Sequence, residues 1–411
     1  MEVNERVARG EVHGFCDSEF EGVLDEFLKN FNQRSEVGAS VCVRVDGRTR
    51  VDLWGGVFSP ETDALWAEDT VSIVFSCTKA AVALCAHILI DRGLLDPFAP
   101  VTRYWPEFGR NGKEGVTVAM MLNHSAGLPA FREPIKPGGY YDWDYMVRRL
   151  EEEAPFWEPG TRNGYHMISF GWTVGEVIAR VSGRPLDRFF AEEVAGPLGL
   201  DFWIGLPEAV EPRVSPIIYY TPGPGDPVTD FIKALISDST SIQYLSLLNS
   251  GGFNVNTREA HAAVIGGGGG ITNARNLSAM YVPLAGDGDY PGGRLISPEA
   301  IIRMRQVSMA TQKDANLLVP SRFSLGFMKS MDNRHRPQGN VESLIIGERA
   351  FGHAGAGGSL GFADPDCGLA FGYTMNKMGP GIFLNERGQS LADAAYRCLG
   401  YRSNQSGVWS R

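Results

Sequence analysis

Ser76 and Lys79, three residues apart, open a continuous apolar run from Ala80 to Ala86. On a helix that spacing sets both side chains on one face, about one turn apart. An amine so placed can take the proton of a hydroxyl that is otherwise a weak nucleophile. Ser76-Cys77-Thr78-Lys79 fits S-x-x-K, a pattern of serine acyl-transfer chemistry, and matches it nowhere else in the chain. At a helix N-terminus the serine oxygen also lies near the positive end of the dipole. Read alone, Ser76 suits a helix N-cap as well as a nucleophile.

A second serine competes. Gly357-Gly358-Ser359-Leu360-Gly361 fits G-x-S-x-G, the elbow in which serine precedes its acid and its histidine along the chain. All seven histidines (13, 87, 124, 166, 261, 335 and 353) precede Ser359. That serine therefore lacks a base, and a glycine-rich turn between strands explains it better.

Two further stretches complement Ser76. Tyr165 follows the Pro159-Gly160 turn. A phenol, with a pKa of about 10, acts as a base only where neighbouring cations stabilise its phenolate. Lys79 is a candidate for that cation, and either group can then relay the serine proton; the alternative is a packed aromatic. Gly352-His353-Ala354-Gly355-Ala356-Gly357-Gly358 reads as a small-residue strand edge that lets a substrate approach the backbone. Its N–H groups, with that of Ser76, offer an oxyanion hole.

These pieces need a scaffold. Phe20, Val23, Leu24, Phe27, Leu28 and Phe31 recur at helical spacing. Ala39–Val45 and Arg48–Trp54 are β-rich runs joined at Asp46-Gly47, a hairpin signal. The helix from Ser76 is apolar nearly all round and closes at Gly93, so it must be buried. Residues 96–200 read as mostly helical. Residues 205–265 read as a long irregular excursion, and Gly266–Gly270 as a close backbone approach before a helix. Arg322–Met328, Ser359–Ala363 and Leu369–Met375 read as strands, and Leu391–Leu399 as a closing helix. The predicted architecture is a two-lobed α/β fold. Residues 1–98 and 200–411 build an antiparallel sheet flanked by helices from both termini, 99–199 form an inserted helical domain, and the site lies at their interface.

Composition sets limits. A chain of 411 residues, 43% hydrophobic, can bury a full core. A net charge of −10 argues against nucleic acid and anionic membranes as partners. Six scattered cysteines form no C-x-x-C pair, so neither zinc site nor disulfide framework is expected. The polar N-terminus lacks a signal-peptide core, and a cytoplasmic protein is the default expectation.

Ser76-Cys77-Thr78-Lys79, then Tyr165, then His353-Ala354-Gly355 resembles the three-motif pattern of the serine β-lactamase and penicillin-binding-protein superfamily. Leu122-Asn123-His124-Ser125-Ala126-Gly127-Leu128-Pro129 and Pro197-Leu198-Gly199-Leu200 agree with accessory stretches of that family. The nearest branch is the class C β-lactamase-like carboxylesterases, or family VIII esterases. The resemblance implies a β-lactamase/transpeptidase-like fold, Ser76 as nucleophile, Lys79 as proton acceptor, and Tyr165 sharing the base work. It also implies Ser76 and Ala356 backbone N–H groups as oxyanion donors, with Met167, His353 and Gly355 lining the substrate. Met167 stands where class C β-lactamases carry asparagine, and His353 where they carry lysine. A thioether and a mostly neutral imidazole favour a neutral small-molecule ester over an anionic lactam. The expected activity is a serine carboxylesterase for short-chain esters, without metal or cofactor. A β-lactamase, a D-amino peptidase, a transacylase and a non-catalytic scaffold on the same fold are the alternatives.

Overall fold

Strands β3 (Gly38–Val45) and β4 (Arg48–Ser59) close around Asp46 and Gly47, whose φ angles are +49° and +74°. Positive φ at both positions is what a two-residue type I′ hairpin requires. The computed structural model describes residues 1–411 except 224, 227 and 382. Around this hairpin runs the main sheet. Its other strands are β1 (Glu2–Arg6), β2 (Glu11–Cys16), β5 (Phe351–Ala354), β6 (Leu360–Asp364) and β7 (Leu369–Met375). The order is β1-β2-β4-β3-β7-β6-β5, with every pair antiparallel and a short strand, Ala64–Leu65, added on β4. The two ends of the chain meet where β3 pairs with β7, Val41 opposite Tyr373.

The two faces of β7 differ in size, and that difference sets the layers. Leu369, Phe371, Tyr373 and Met375 share one cluster with Phe27 and Phe31 of α1 (Glu21–Gln33). Leu391, Ala395 and Tyr396 of the C-terminal helix (Glu386–Cys398) complete it. Burial contributes about 1.5–3 kcal/mol for each large apolar side chain there. The opposite face presents Ala370 and Gly372. Helix Ala274–Ala285 lies so close to it that a side chain at Gly372 would run into the Ala274 carbonyl. Helix α2 (Cys77–Asp91) packs against β5 and is buried from Cys77 to Leu89 as an apolar-all-round helix must be. Gly93, at φ +70°, ends it. The elements between 99 and 199 are helices, of which Phe170–Ser182 packs on α2.

A small second sheet frames the start of α2. Gly270–Thr272 pairs with both Ser72–Ile73 and Phe202–Ile204. The Val74 N–H donates to the Gly270 carbonyl at 2.9 Å.

Three regions depart from the sequence reading. The β1–β2 hairpin was not expected, because an exposed edge strand with one buried residue in five leaves no apolar signal. The strand expected over Arg322–Met328 shortens to Ser321–Phe323, since Gly326 at φ +91° turns the chain. The irregular excursion contains three short helices, Asp230–Ser237, Ile242–Leu247 and Arg258–Ala262, capped by Thr229, Ser241 and Thr257. No helix among the described residues is long and apolar enough to cross a membrane.

Candidate active site

Ser76 precedes α2 but does not cap it. Its backbone is already helical (φ −68°, ψ −8°), and its side chain accepts no cap hydrogen bond. The preceding residue, Phe75, holds φ +44°, a strained conformation for a residue with a side chain. Thr78 braces this bend: its hydroxyl donates to the Phe75 carbonyl at 2.5 Å and accepts from the Gly270 N–H at 2.8 Å. The sharp entry leaves Ser76 partly exposed at the head of a buried helix.

Lys79, one turn on, is fully buried. Its Nζ lies 2.8 Å from Ser76 Oγ, 2.6 Å from the Met167 carbonyl and 2.6 Å from the Gly267 carbonyl. Burial holds the amine well below its ordinary pKa. A neutral amine has two N–H donors, which the two carbonyls accept, and one lone pair, which faces the serine hydroxyl. An ammonium has a third N–H, which Ser76 Oγ can accept. Both protonation states are satisfied by the same three partners, so a proton can pass between oxygen and nitrogen without a change of rotamer.

Tyr165 completes the cluster. Nζ lies 4.8 Å from its ring centroid. The ring stacks on Phe323 (5.7 Å, 9° between planes) and meets His124 edge-on at 4.8 Å. Its hydroxyl is buried without a hydrogen-bond partner among the described residues. Ser76 lies near enough to favour the phenolate but without hydrogen-bond geometry, and burial outweighs it, pushing the phenol upward. Burial therefore acts on both groups in opposite senses and favours a neutral amine beside a neutral phenol. The sequence-based picture of an ammonium stabilising a phenolate gives way to that neutral pair.

The third motif abuts the same helix end. A side chain at Gly355 would collide with the Val74 carbonyl, and Cys77 Sγ donates to the His353 carbonyl at 3.1 Å. Within the turn, the Gly355 N–H donates to Ser359 O (2.8 Å) and Gly358 N–H to Gly355 O (3.0 Å). The Gly357 carbonyl accepts from Asn385 Nδ2 (2.8 Å) and the Gly379 N–H (2.9 Å). The N–H groups of Ser76 and Ala356 have no protein acceptor among the described residues. Uncommitted backbone donors are what an oxyanion needs.

His353 is fully buried, its ring 6.0 Å from that of Tyr165, and burial with the nearby Lys79 lowers its pKa to about 3. Its Nδ1–H donates to the Ala354 carbonyl at 2.7 Å. It thus faces the site through Tyr165 and brings no positive charge. Met167 contributes its carbonyl to Lys79, while its sulfur lies 3.7 Å from Ser246 Oγ. Ser359 is buried, with no partner for its hydroxyl among the described residues.

Other residues of the cluster gave no signal in the sequence. Gly267 belongs to the glycine run read as a close approach; its carbonyl on Lys79 could not be foreseen. Buried Asp314 accepts from the Tyr165 N–H at 2.9 Å, and Asn316 Nδ2 donates to the Tyr165 carbonyl at 2.7 Å. His166 donates through Nδ1 to Gly164 O (2.7 Å) and accepts at Nε2 from the Leu128 N–H (3.0 Å). That pattern fixes a neutral tautomer, and burial lowers its pKa to about 4. Lone polar residues in loops carry no spacing to read.

The chain is similar in sequence and structure to known proteins. It is 33% identical over 371 residues to the esterase/beta-lactamase LipL of Mycobacterium tuberculosis (strain ATCC 25618 / H37Rv), spanning 89% of this chain and 83% of LipL. It superposes on the crystal structure of a family VIII carboxylesterase with a TM-score of 0.83 at 37% identity, covering 94% of this chain and 100% of that one. For EstA from Arthrobacter nitroguajacolicus Rue61a the TM-score is 0.80 at 29% identity, covering 94% of this chain and 98% of EstA. The beta-lactamase family pattern matches residues 20–396, and the chain belongs to that family.

Proposed function

We propose that this chain is a serine carboxylesterase acting through an acyl-enzyme on Ser76, with short neutral esters as substrates. The observation that carries this reading is the 2.8 Å approach of Ser76 Oγ to an amine whose pKa is lowered by burial, which favours the form with a free lone pair. Lys79 takes the hydroxyl proton as Ser76 Oγ bonds to the ester carbonyl carbon. The carbonyl π pair moves to oxygen, where the Ser76 and Ala356 N–H groups meet it. The tetrahedral species then expels the alkoxide, which receives the proton from Lys79 by way of the Tyr165 hydroxyl. Water, deprotonated by the same groups, attacks the acyl-enzyme and releases the acid and Ser76.

In this reading Ser76, Lys79 and Ala356 come from the unit formed by 1–98 and 200–411, and Tyr165 from the inserted helical unit 99–199. Ester preference is supported by the neutral, buried His353 and by Met167, neither of which offers a charge or an amide to a lactam carboxylate. The esterase names of LipL, EstA and the family VIII carboxylesterase point the same way. The experiment compares turnover of p-nitrophenyl acetate with that of nitrocefin by the purified protein. The expected result is ester turnover exceeding lactam turnover by at least tenfold in kcat/KM. Faster nitrocefin hydrolysis would replace the esterase reading with a β-lactamase one, and inertness toward both would favour a scaffold.

A further inference from the structure

Among the described residues the Tyr165 hydroxyl has no hydrogen-bond partner, so no hydrogen bond at the tip of the side chain fixes where the phenol stands. Its position depends on ring packing and on how its own main chain is held. Both polar groups of that main chain are taken by one loop. The Tyr165 N–H donates to Asp314 Oδ1 (2.9 Å) and Oδ2 (3.2 Å), and the Tyr165 carbonyl accepts from Asn316 Nδ2 (2.7 Å). The loop in turn closes on itself, since the Asn316 and Leu317 N–H groups donate to Asp314 Oδ1 at 2.9 Å each. Ser321 Oγ donates to Asp314 Oδ2 at 3.0 Å.

The same loop is bolted to a helix of the excursion. Gln243 Nε2 donates to the Asn316 carbonyl at 2.6 Å and to that of Ala315 at 3.1 Å. Ser246 Oγ lies 3.2 Å from Asn316 Oδ1 and 3.7 Å from Met167 Sδ. Met167 is the residue whose carbonyl holds Lys79. Asn316, Asp314, Gln243 and Ser246 are all buried. Four polar side chains away from water, each satisfied, make a rigid network, because breaking any one link strands its partner. Helix Ile242–Leu247 thus touches both members of the base pair, Tyr165 through Asn316 and Lys79 through Met167.

We propose that Asn316 is a positioning residue for acyl transfer, the joint through which helix Ile242–Leu247 sets Tyr165 against Ser76 and Lys79. This rests on the esterase reading and deepens it. The excursion is then a brace for the proton relay. A 1 Å misplacement of a relay group is worth on the order of 10²-fold in rate, so a residue that touches neither substrate nor reacting atoms can govern turnover.

The test is a double-mutant cycle on acylation by p-nitrophenyl acetate, read as pre-steady-state burst rate, with Asn316→Ala, Tyr165→Phe and the double variant. Asn316→Ala is expected to slow acylation 30- to 100-fold with KM changed less than threefold. Added to Tyr165→Phe it is expected to slow the reaction less than threefold further, because the group it positions has lost its hydroxyl. Ser246→Ala, a milder cut in the same network, should behave likewise at three- to tenfold, and it serves alone should Asn316→Ala fail to fold. Multiplicative losses in the double variant, or an Asn316→Ala rate within twofold of wild type, would overturn the proposal. An unchanged burst in Tyr165→Phe itself would instead strike the role given to Tyr165 in the esterase reading.

Discussion

Two serines of this chain each sit in a recognisable motif at a sharp turn, and only one is equipped to react. Ser76 follows a strained Phe75, is partly exposed, and has an amine 2.8 Å from its oxygen. Ser359 follows two glycines at φ +83° and +125°, is 0% exposed, and has no partner for its hydroxyl among the described residues. Both turns lie against the same helix end, yet the second supplies backbone: the Ser359 carbonyl locks Gly355 and leaves the Ala356 N–H uncommitted. A motif string therefore says where a bend is. Access and a base within reach say whether its serine is a nucleophile.

Substitutions can widen or erase this contrast. Ser76→Ala should bring the largest loss, about 10⁴-fold or more in ester kcat, leaving only what binding and the oxyanion donors provide. Lys79→Ala removes the base and should cost about 10³-fold, within the range for general-base groups. It should also lower the melting temperature, because it empties a buried site and strands the Met167 and Gly267 carbonyls. Rate against pH offers a third check. In the proposed mechanism Lys79 acts when neutral; its pKa is lowered in the folded protein, so kcat/KM should fall as pH drops through that value and the lone pair is lost. Burial raises the Tyr165 pKa, so phenol ionisation should produce no matching alkaline fall. An acid limb that persists in Lys79→Ala would mean another group governs the rate.

A smaller effect sharpens the electrostatic side. Burial lowers His166 and His87 to about 4 and His353 to about 3. Their ring resonances should stay at neutral-imidazole positions between pH 8 and 5 in proton NMR. A midpoint near 6.5 for His353 would place a cation in the site and restore the case for anionic substrates. The smallest effect is expected at the competing motif. Ser359→Ala deletes a buried hydroxyl without a hydrogen-bond partner among the described residues, so activity should remain within twofold and stability should hold or rise slightly.

What could be read in advance follows from where physics leaves a periodic trace. The Asp46-Gly47 hairpin, the alternating Leu369–Met375 strand and the apolar α2 each obey a local rule, and each appears within a few residues of expectation. Ser76, Lys79 and Tyr165 were legible because their spacing and flanking turns are set by chemistry. Asp314 and Asn316 were not, since each acts through a main-chain contact nearly 150 positions away in sequence. The carbonyls of Met167 and Gly267 were invisible for a simpler reason: every residue has one. The small helices of the excursion, five to eight residues long, fall below the length at which a stripe emerges.

The most direct measurement is intact-mass analysis, with peptide mapping, of protein treated with a fluorophosphonate probe. One adduct per chain is expected, on the Ser76 peptide, forming faster as pH rises through the Lys79 transition and absent from Ser76→Ala. An adduct on Ser359, or none on the wild-type protein under conditions that label another serine hydrolase, would contradict it.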